Sequence, residues 1–237
     1  MSHDEMSAKV ENKILGVLSR TSSPTLDSLE RVELTSGMVL QEPGSEIEHV
    51  YFPEDGMVTL LSVGLEGGSI QIGVIGSDGM VGIPVVLGGF SPHKAVVQID
   101  GFAWKMGRRR IAEQFRENRQ LHDVLLKYTN SLLVQIAQSS ICNCFHTIQE
   151  RLSRWLLLAQ DASQSDRLPV THDLVSRLLG TRRASITVTA GLLQKAGFLR
   201  MARGEIVIAN RQGLEGIACE CYGIIREGMR RSISTHG

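Results

Sequence analysis

The sequence predicts an α+β chain, and three observations carry that prediction. Residues 31–106 run in short apolar segments broken by glycine, proline and Asx turns. After Gly107 no glycine occurs until Gly180, across a stretch with helical periodicity. Residues 171–209 then read as helix, turn, helix and hairpin. Together they describe a β-roll or barrel, a long helix and a C-terminal helix-turn-helix unit followed by a hairpin.

The elements follow in order. Residues 10–30 read as a short helical lead-in, with Ile14, Leu15 and Leu18 on one face and Pro24 closing or restarting it. The β-type segments are Val32–Leu34, His49–Phe52, Met57–Val63, Ser69–Ile75, Val85–Leu87, Ala95–Ile99 and Phe102–Lys105. Between them stand Pro43-Gly44, Glu54-Asp55-Gly56, Gly67-Gly68, Asp78-Gly79, Gly88-Gly89 and Ser91-Pro92, each suited to a bend. Many short strands with dense glycine imply a barrel or roll. One short helix is expected over Arg109–Arg116 and a long one from Asn118 to about Asn143. In the long helix Leu121, Leu125, Tyr128, Leu132 and Ile136 form an apolar stripe at coiled-coil spacing. Such a stripe serves either the helix's own domain or the same helix of a second chain. The helix outlasts the roll it leaves, which favours a dimer seam.

The C-terminal unit is the most informative stretch. Val175, Leu178 and Leu179 give a first helix one buried face, and Ser176 is small enough for a close neighbour. Gly180 suits a tight turn, and Thr181 is placed to cap a second helix. Arg182, Arg183 and Ser185 then stand on that helix's exposed first turn, with Ile186, Leu192 and Leu193 expected on the core side. An arginine so placed can set its planar fork on guanine O6 and N7, worth about 1–3 kcal/mol of base discrimination. FLRMARGEIVIA (198–209) forms two apolar runs around Arg203-Gly204, as a wing hairpin would. The competing reading, an ordinary helical hairpin with solvated arginines, does not account for that wing. A winged helix-turn-helix follows, with a DNA-facing set of Thr181, Arg182, Arg183, Ser185, Thr187, Val188 and Arg203.

Charge supports the division. The whole chain is neutral, with 25 basic and 25 acidic residues. From Gln149 onward there are 13 basic and 8 acidic residues, so the C-terminal part carries +5 and the rest −5. A basic module on an acidic one is expected where only one part meets phosphates. At 237 residues and 42% hydrophobic the chain can bury a substantial core. No apolar run reaches membrane-spanning length, and the opening MSHDEMSAKVEN lacks the form of a signal peptide, so a cytoplasmic location is expected.

Gly76-Ser77-Asp78-Gly79 is followed by no Gly-Lys-Ser/Thr and reads as a turn. No Ser/His/Asp or Cys/His set sits in a nucleophile motif, so an enzyme is not expected. The histidines are dispersed, and His122 and His172 read as surface or turn residues. CNCFH (142–146) puts Cys142 and His146 on one helical face with Cys144 turned away, and Cys219 and Cys221 form a second C-x-C pair. A zinc or redox site is conceivable, but buried reduced thiols at helix junctions are the reading preferred, and no metal or cofactor is assigned.

The order and lengths of these parts resemble the CRP/FNR superfamily of bacterial transcription regulators. The resemblance spans nearly the whole chain and is most specific in YFPEDGMVTLL (51–61), GSDGMVGIPVVLGG (76–89) and LVSRLLGTRRASIT (174–187). ACECY (218–222) and the RRAS element look like a branch without an obvious nucleotide signature. It implies a cyclic-nucleotide-binding-like β-roll over 1–117, a dimerisation helix and hinge over 118–148, and a winged helix-turn-helix over 149–237. The hinge is expected near Asn143–Gln149. Implied partners are double-stranded DNA with a two-fold-symmetric operator, a second copy of the chain, RNA polymerase and an unidentified effector, with no membrane. A small-molecule or protein-binding module whose winged helix makes protein contacts is the alternative.

The effector positions implied by the resemblance are Gly82, Ile83, His93 and Lys94. Where nucleotide-binding members pair glycine with a ribose-binding glutamate, this chain has Gly82-Ile83. Where they have a phosphate-binding arginine, it has His93. Isoleucine accepts no ribose bond and neutral histidine supplies no bidentate cation, so cyclic AMP is not the expected ligand. Lys94 could still meet another anion. The cysteine cluster of the iron–sulfur branch is missing, since no cysteine precedes Cys142. Arg183 falls at the family's guanine-reading position. Ala184 replaces a common glutamate and Val188 a second arginine, which implies a different operator with contact to thymine methyls.

Overall fold

The computed structural model describes residues 10–19 and 28–233. Pro24 lies outside them. A short helix α1 (Lys13–Ser19) leads in. It is anchored by the buried Asn12, whose carboxamide donates to the carbonyls of Pro53 and Gly79 and accepts from the amides of Ile14 and Leu15.

The roll contains β1 (Glu30–Leu34), β2 (Val39–Gln41), β3 (His49–Pro53), β4 (Met57–Val63), β5 (Ser69–Ile75), β6 (His93–Ile99) and β7 (Gly101–Gly107). They form two antiparallel sheets, ordered β1-β7-β3 and β2-β6-β4-β5. Leu34, Phe52, Val58, Val97 and Met106 fill the space between them. Gly56 closes the β3–β4 bend at φ 71°, and a Cβ there would lie 2.7 Å from the carbonyl oxygens of Ile99 and Asp100. Only glycine fits.

One expected strand is a helix. Val85–Leu87 belongs to α2 (Pro84–Leu87), opened by a proline at its first turn and ended by Gly88 in the left-handed region. Proline fixes a helical φ and removes an amide that a first turn leaves unpaired anyway, and these two residues outweigh the β-branched valines. The short edge strand β2 had too few residues to show alternation.

Helix α3 (Arg108–Glu117) leads to the long α4 (Arg119–Phe145), whose first amides at Gln120 and Leu121 bond the Asn118 side chain. The stripe expected to seam a dimer does something else. Leu121, Leu125, Tyr128 and Leu132 are buried in the roll's core, and Ile136 packs against it. Tyr128 donates its hydroxyl to the Met80 carbonyl at 2.9 Å. This face of α4 closes the roll of its own chain. A different stripe, Leu126, Leu133, Ile141 and Phe145, faces outward, with Leu133 60% and Phe145 81% exposed.

The C-terminal part comprises α5 (Ile148–Ser163), β8 (Arg167–Leu168), α6 (His172–Leu178), α7 (Arg183–Lys195), β9 (Leu199–Ala202), β10 (Glu205–Ile208), α8 (Arg211–Ile217) and α9 (Cys221–Ile233). Thr147 and Glu150 form a reciprocal capping box that starts α5 immediately after the break at His146. Twelve of the sixteen residues of α5 are buried, because its own domain covers one side and the roll the other. Trp155 Nε1 donates to Gln71 Oε1 at 2.9 Å, and Gln164 Nε2 donates to Ser77 Oγ at 2.9 Å. A Cβ on Gly76 would meet the Ala162 backbone, so the two parts touch with no room for a side chain.

Candidate nucleic-acid interface

Helix α6 begins at Thr171, whose hydroxyl accepts from the Leu174 amide. It buries Val175, Ser176 and Leu178, and Leu179 follows into the core, as the sequence indicates. Gly180 turns the chain at φ 60°, and the Thr181 amide donates back to the Ser176 carbonyl at 2.9 Å. Thr181 is therefore the last residue of the turn and not the cap of α7. Arg182 occupies the cap position, and no side chain bonds the first-turn amides. The positive end of α7 is left open.

Helix α7 buries Ile186, Thr189, Ala190 and Leu193. Leu192, expected on that side, is 52% exposed, because the core positions recur at three and four residues from Ile186 and Leu192 falls between them. Arg182, Arg183, Thr187 and Val188 are exposed and Ser185 and Thr181 half-buried. The Thr187 hydroxyl donates to the Arg183 carbonyl and lies 3.2 Å from His172 Nδ1. His172, expected as a surface or turn residue, thus touches the exposed face of α7. Burial first, then the charge of Arg183, holds its pKa below the ordinary value.

The wing follows. β9 and β10 pair from Glu205 opposite Ala202 to Ile208 opposite Leu199, with Arg203-Gly204 at the tip and Gly204 at φ 79°. β8 adds a third strand through Leu168 opposite Ile206. Alternation turns Leu199 inward and Arg200 outward. Arg200 is a surface cation the sequence reading passed over, although the wing's period of two would have found it.

Ion pairing separates these arginines from their neighbours. Arg177 pairs with Asp173 and Arg167 with Glu205. Among the described residues no ion pair involves Arg182, Arg183, Arg200 or Arg203. Four cations therefore stand uncompensated on the helix opening and the wing, an arrangement that can attract phosphates and present guanidinium forks.

The expected effector positions do not converge. Ile83 is buried in the roll's core, and Gly82 sits at φ 97° against Val50. His93 and Lys94 are consecutive on β6 and so point to opposite faces. Lys94 bonds Glu42 at 2.8 Å on the outside. His93 Nδ1 is buried without a hydrogen-bond partner among the described residues, and burial lowers the ring's pKa. A cavity of about 320 Å³ nearby is lined by Glu46, Ile47, Val85, Phe90 and Arg108 among others and includes none of the four.

Residues 150–217 match the Crp-like helix-turn-helix domain family. No curated protein matches the chain in sequence. Solved structures match its fold. A CRP/FNR-family transcriptional regulator from Thermus thermophilus is 20% identical with a TM-score of 0.64, covering 80% of this chain and 98% of its own. FixK2 from Bradyrhizobium japonicum is 14% identical with a TM-score of 0.63, covering 81% and 98%. CLP, the c-di-GMP-responsive global regulator of Xanthomonas campestris, is 16% identical with a TM-score of 0.60, covering 83% and 99%. The chain is thus similar to the Crp-like helix-turn-helix domain over residues 150–217 and shares the fold of solved CRP/FNR-family transcriptional regulators.

Proposed function

We propose that the protein is a sequence-specific DNA-binding transcription regulator that acts as a homodimer. The observation that carries this reading is the uncompensated arginine surface: Arg182 and Arg183 open an exposed helix, and Arg203 tips the wing beside it. Arg183 reads a base edge, Val188 and Ala184 meet thymine methyls, and Arg203 and Arg200 hold phosphates. In this reading residues 1–117 form a sensory unit, 118–148 the dimer helix and hinge, and 149–237 the reading head, with RNA polymerase as a further partner.

The second copy docks on the outward stripe of α4, where Leu126, Leu133, Ile141 and Phe145 recur at helical spacing and stay exposed, most fully at Leu133 and Phe145. Two copies related by a two-fold axis place their reading heads about one helical turn of DNA apart. The sensory unit does not take cyclic AMP, because Ile83 fills the core where a ribose partner is needed and His93 and Lys94 lie on opposite faces of their strand. The effector biases the reading heads through its different affinity for their two arrangements.

Selection of bound sequences from a random duplex pool tests the function. The expected product is a two-fold-symmetric site bound with steep salt dependence. A monomeric chain that enriches no sequence at any ionic strength overturns the reading. Cyclic AMP and cyclic GMP should leave the thermal midpoint unmoved, and a saturable rise with either would restore them as ligands.

A further inference from the structure

Four side chains from distant parts of the sequence meet where the long helix ends. Cys142 lies on the last turn of α4 and His146 just beyond it. Cys219 and Cys221 flank the junction of α8 and α9. Cys142 Sγ is 3.6 Å from Cys219 Sγ, and Cys221 Sγ is 3.7 Å from His146 Nδ1. One ligand atom from each of the four lies within 4.8 Å of every other. The three thiols are buried, His146 is half-buried, and Cys144 is exposed and turned away.

We propose that these four residues bind a single zinc ion in a closed Cys3His site. Ligands at about 2.3 Å from a tetrahedral centre lie about 3.7 Å from one another, the separation seen for both close pairs. Three thiolates and an imidazole are the soft and borderline donors that select zinc over magnesium or calcium. Four protein ligands leave no open position, so the site is structural and not catalytic.

Two further observations point to an ion. His146 turns Nδ1 to the sulfurs, and its Nε2 lies 3.2 Å from a Glu220 carboxylate oxygen. That is the outer-shell contact by which a carboxylate fixes the tautomer of a metal-bound imidazole. The second is Arg154, 3% exposed, whose Nε has no acceptor among the described residues. A buried guanidinium without a counter-charge is costly. Zinc with three thiolates and a neutral imidazole carries one net negative charge, and the charge of Arg154 reaches all three thiols. The ion would pin the end of α4 to the α8–α9 junction across the break at His146. Loading would then fix the reading head against the helix that bears the dimer stripe.

The test uses the full-length chain purified under reducing conditions after growth with added zinc. Elemental analysis should find about one zinc per chain. Replacing zinc by cobalt(II) should give the intense visible bands of a tetrahedral site with sulfur-to-cobalt charge transfer. Cys221→Ser and His146→Ala should lose at least nine-tenths of the metal, while Cys144→Ser keeps it. Glu220→Gln should hold zinc about tenfold more weakly in competition with a chromophoric chelator. Should the ligand variants fail to fold, the cobalt spectrum of the unaltered chain decides. Less than a tenth of an equivalent of metal together with no tetrahedral cobalt bands overturns the proposal, as does a Cys142–Cys219 disulfide in the reduced preparation.

Discussion

Arg151 and Arg154 on α5, and Arg182 and Arg183 at the opening of α7, are two arginine pairs of one small domain in opposite surroundings. The first pair is buried. Arg151 donates to the Asn143 side chain at 2.8 Å and to the Leu179 carbonyl, and the charge of Arg154 acts on the buried thiols of Cys142, Cys219 and Cys221. The second pair is exposed and has no carboxylate partner among the described residues. A guanidinium has the same planar fork in both places, so what differs is what its field meets: a fixed carbonyl and sulfurs in one case, open water in the other. Through Leu179, Arg151 also steadies the turn from which Arg182 and Arg183 project.

That contrast can be broken experimentally. The largest effect is expected from Arg151→Ala, which leaves the Leu179 carbonyl without its donor and should cost about 1–3 kcal/mol of stability, read from the urea midpoint. An unchanged midpoint would make the two pairs equivalent. Arg183→Ala should leave stability within about 0.5 kcal/mol. It should also weaken the selected operator by about 1–3 kcal/mol and relax one base pair per half-site. Equal weakening on random DNA would reduce Arg183 to a phosphate contact. Arg203→Ala should weaken all sequences alike and lower the salt slope by about 1, which measures the wing separately from the helix.

The smallest effect is on His172. Its folded pKa is lowered by burial and then by Arg183. The unfolded chain therefore takes up the proton first, so this contribution to stability is full above about pH 6.5 and declines as pH falls from there through the folded value. In Arg183→Ala the ring's NMR titration midpoint should move upward. A fixed midpoint would mean that the Arg183 charge does not reach the imidazole.

Much of the C-terminal part was legible in the sequence because its signals are local: Gly180 at a turn, apolar residues at helical spacing, and Arg203-Gly204 between two alternating runs. The face of α4 was not. That helix carries two apolar stripes one residue out of phase, Leu121/Leu125/Tyr128/Leu132 and Leu126/Leu133/Ile141/Phe145. Periodicity cannot choose between them, and only the position of the roll does. Leu192 and Thr181 were displaced by a single position, the scale at which helix starts blur. The opposed directions of His93 and Lys94 were available from strand alternation, provided the strand was taken to begin before Ala95. The thiol cluster lay beyond local reasoning. Its C-x3-H and C-x-C halves are visible, but residues 142 and 219 are brought together by the packing of α9 along α4.

Helix α5 has hardly any wet side, since Leu157, Leu158 and Trp155 are covered by their own domain and by the roll together. A rod wetted along one side could tilt by degrees, but one covered at twelve of its sixteen positions has little room to do so. Lifting the C-terminal part off the roll would bare a tryptophan ring and break its bond to Gln71 in the same stroke, so the contact between the two parts opens as a unit.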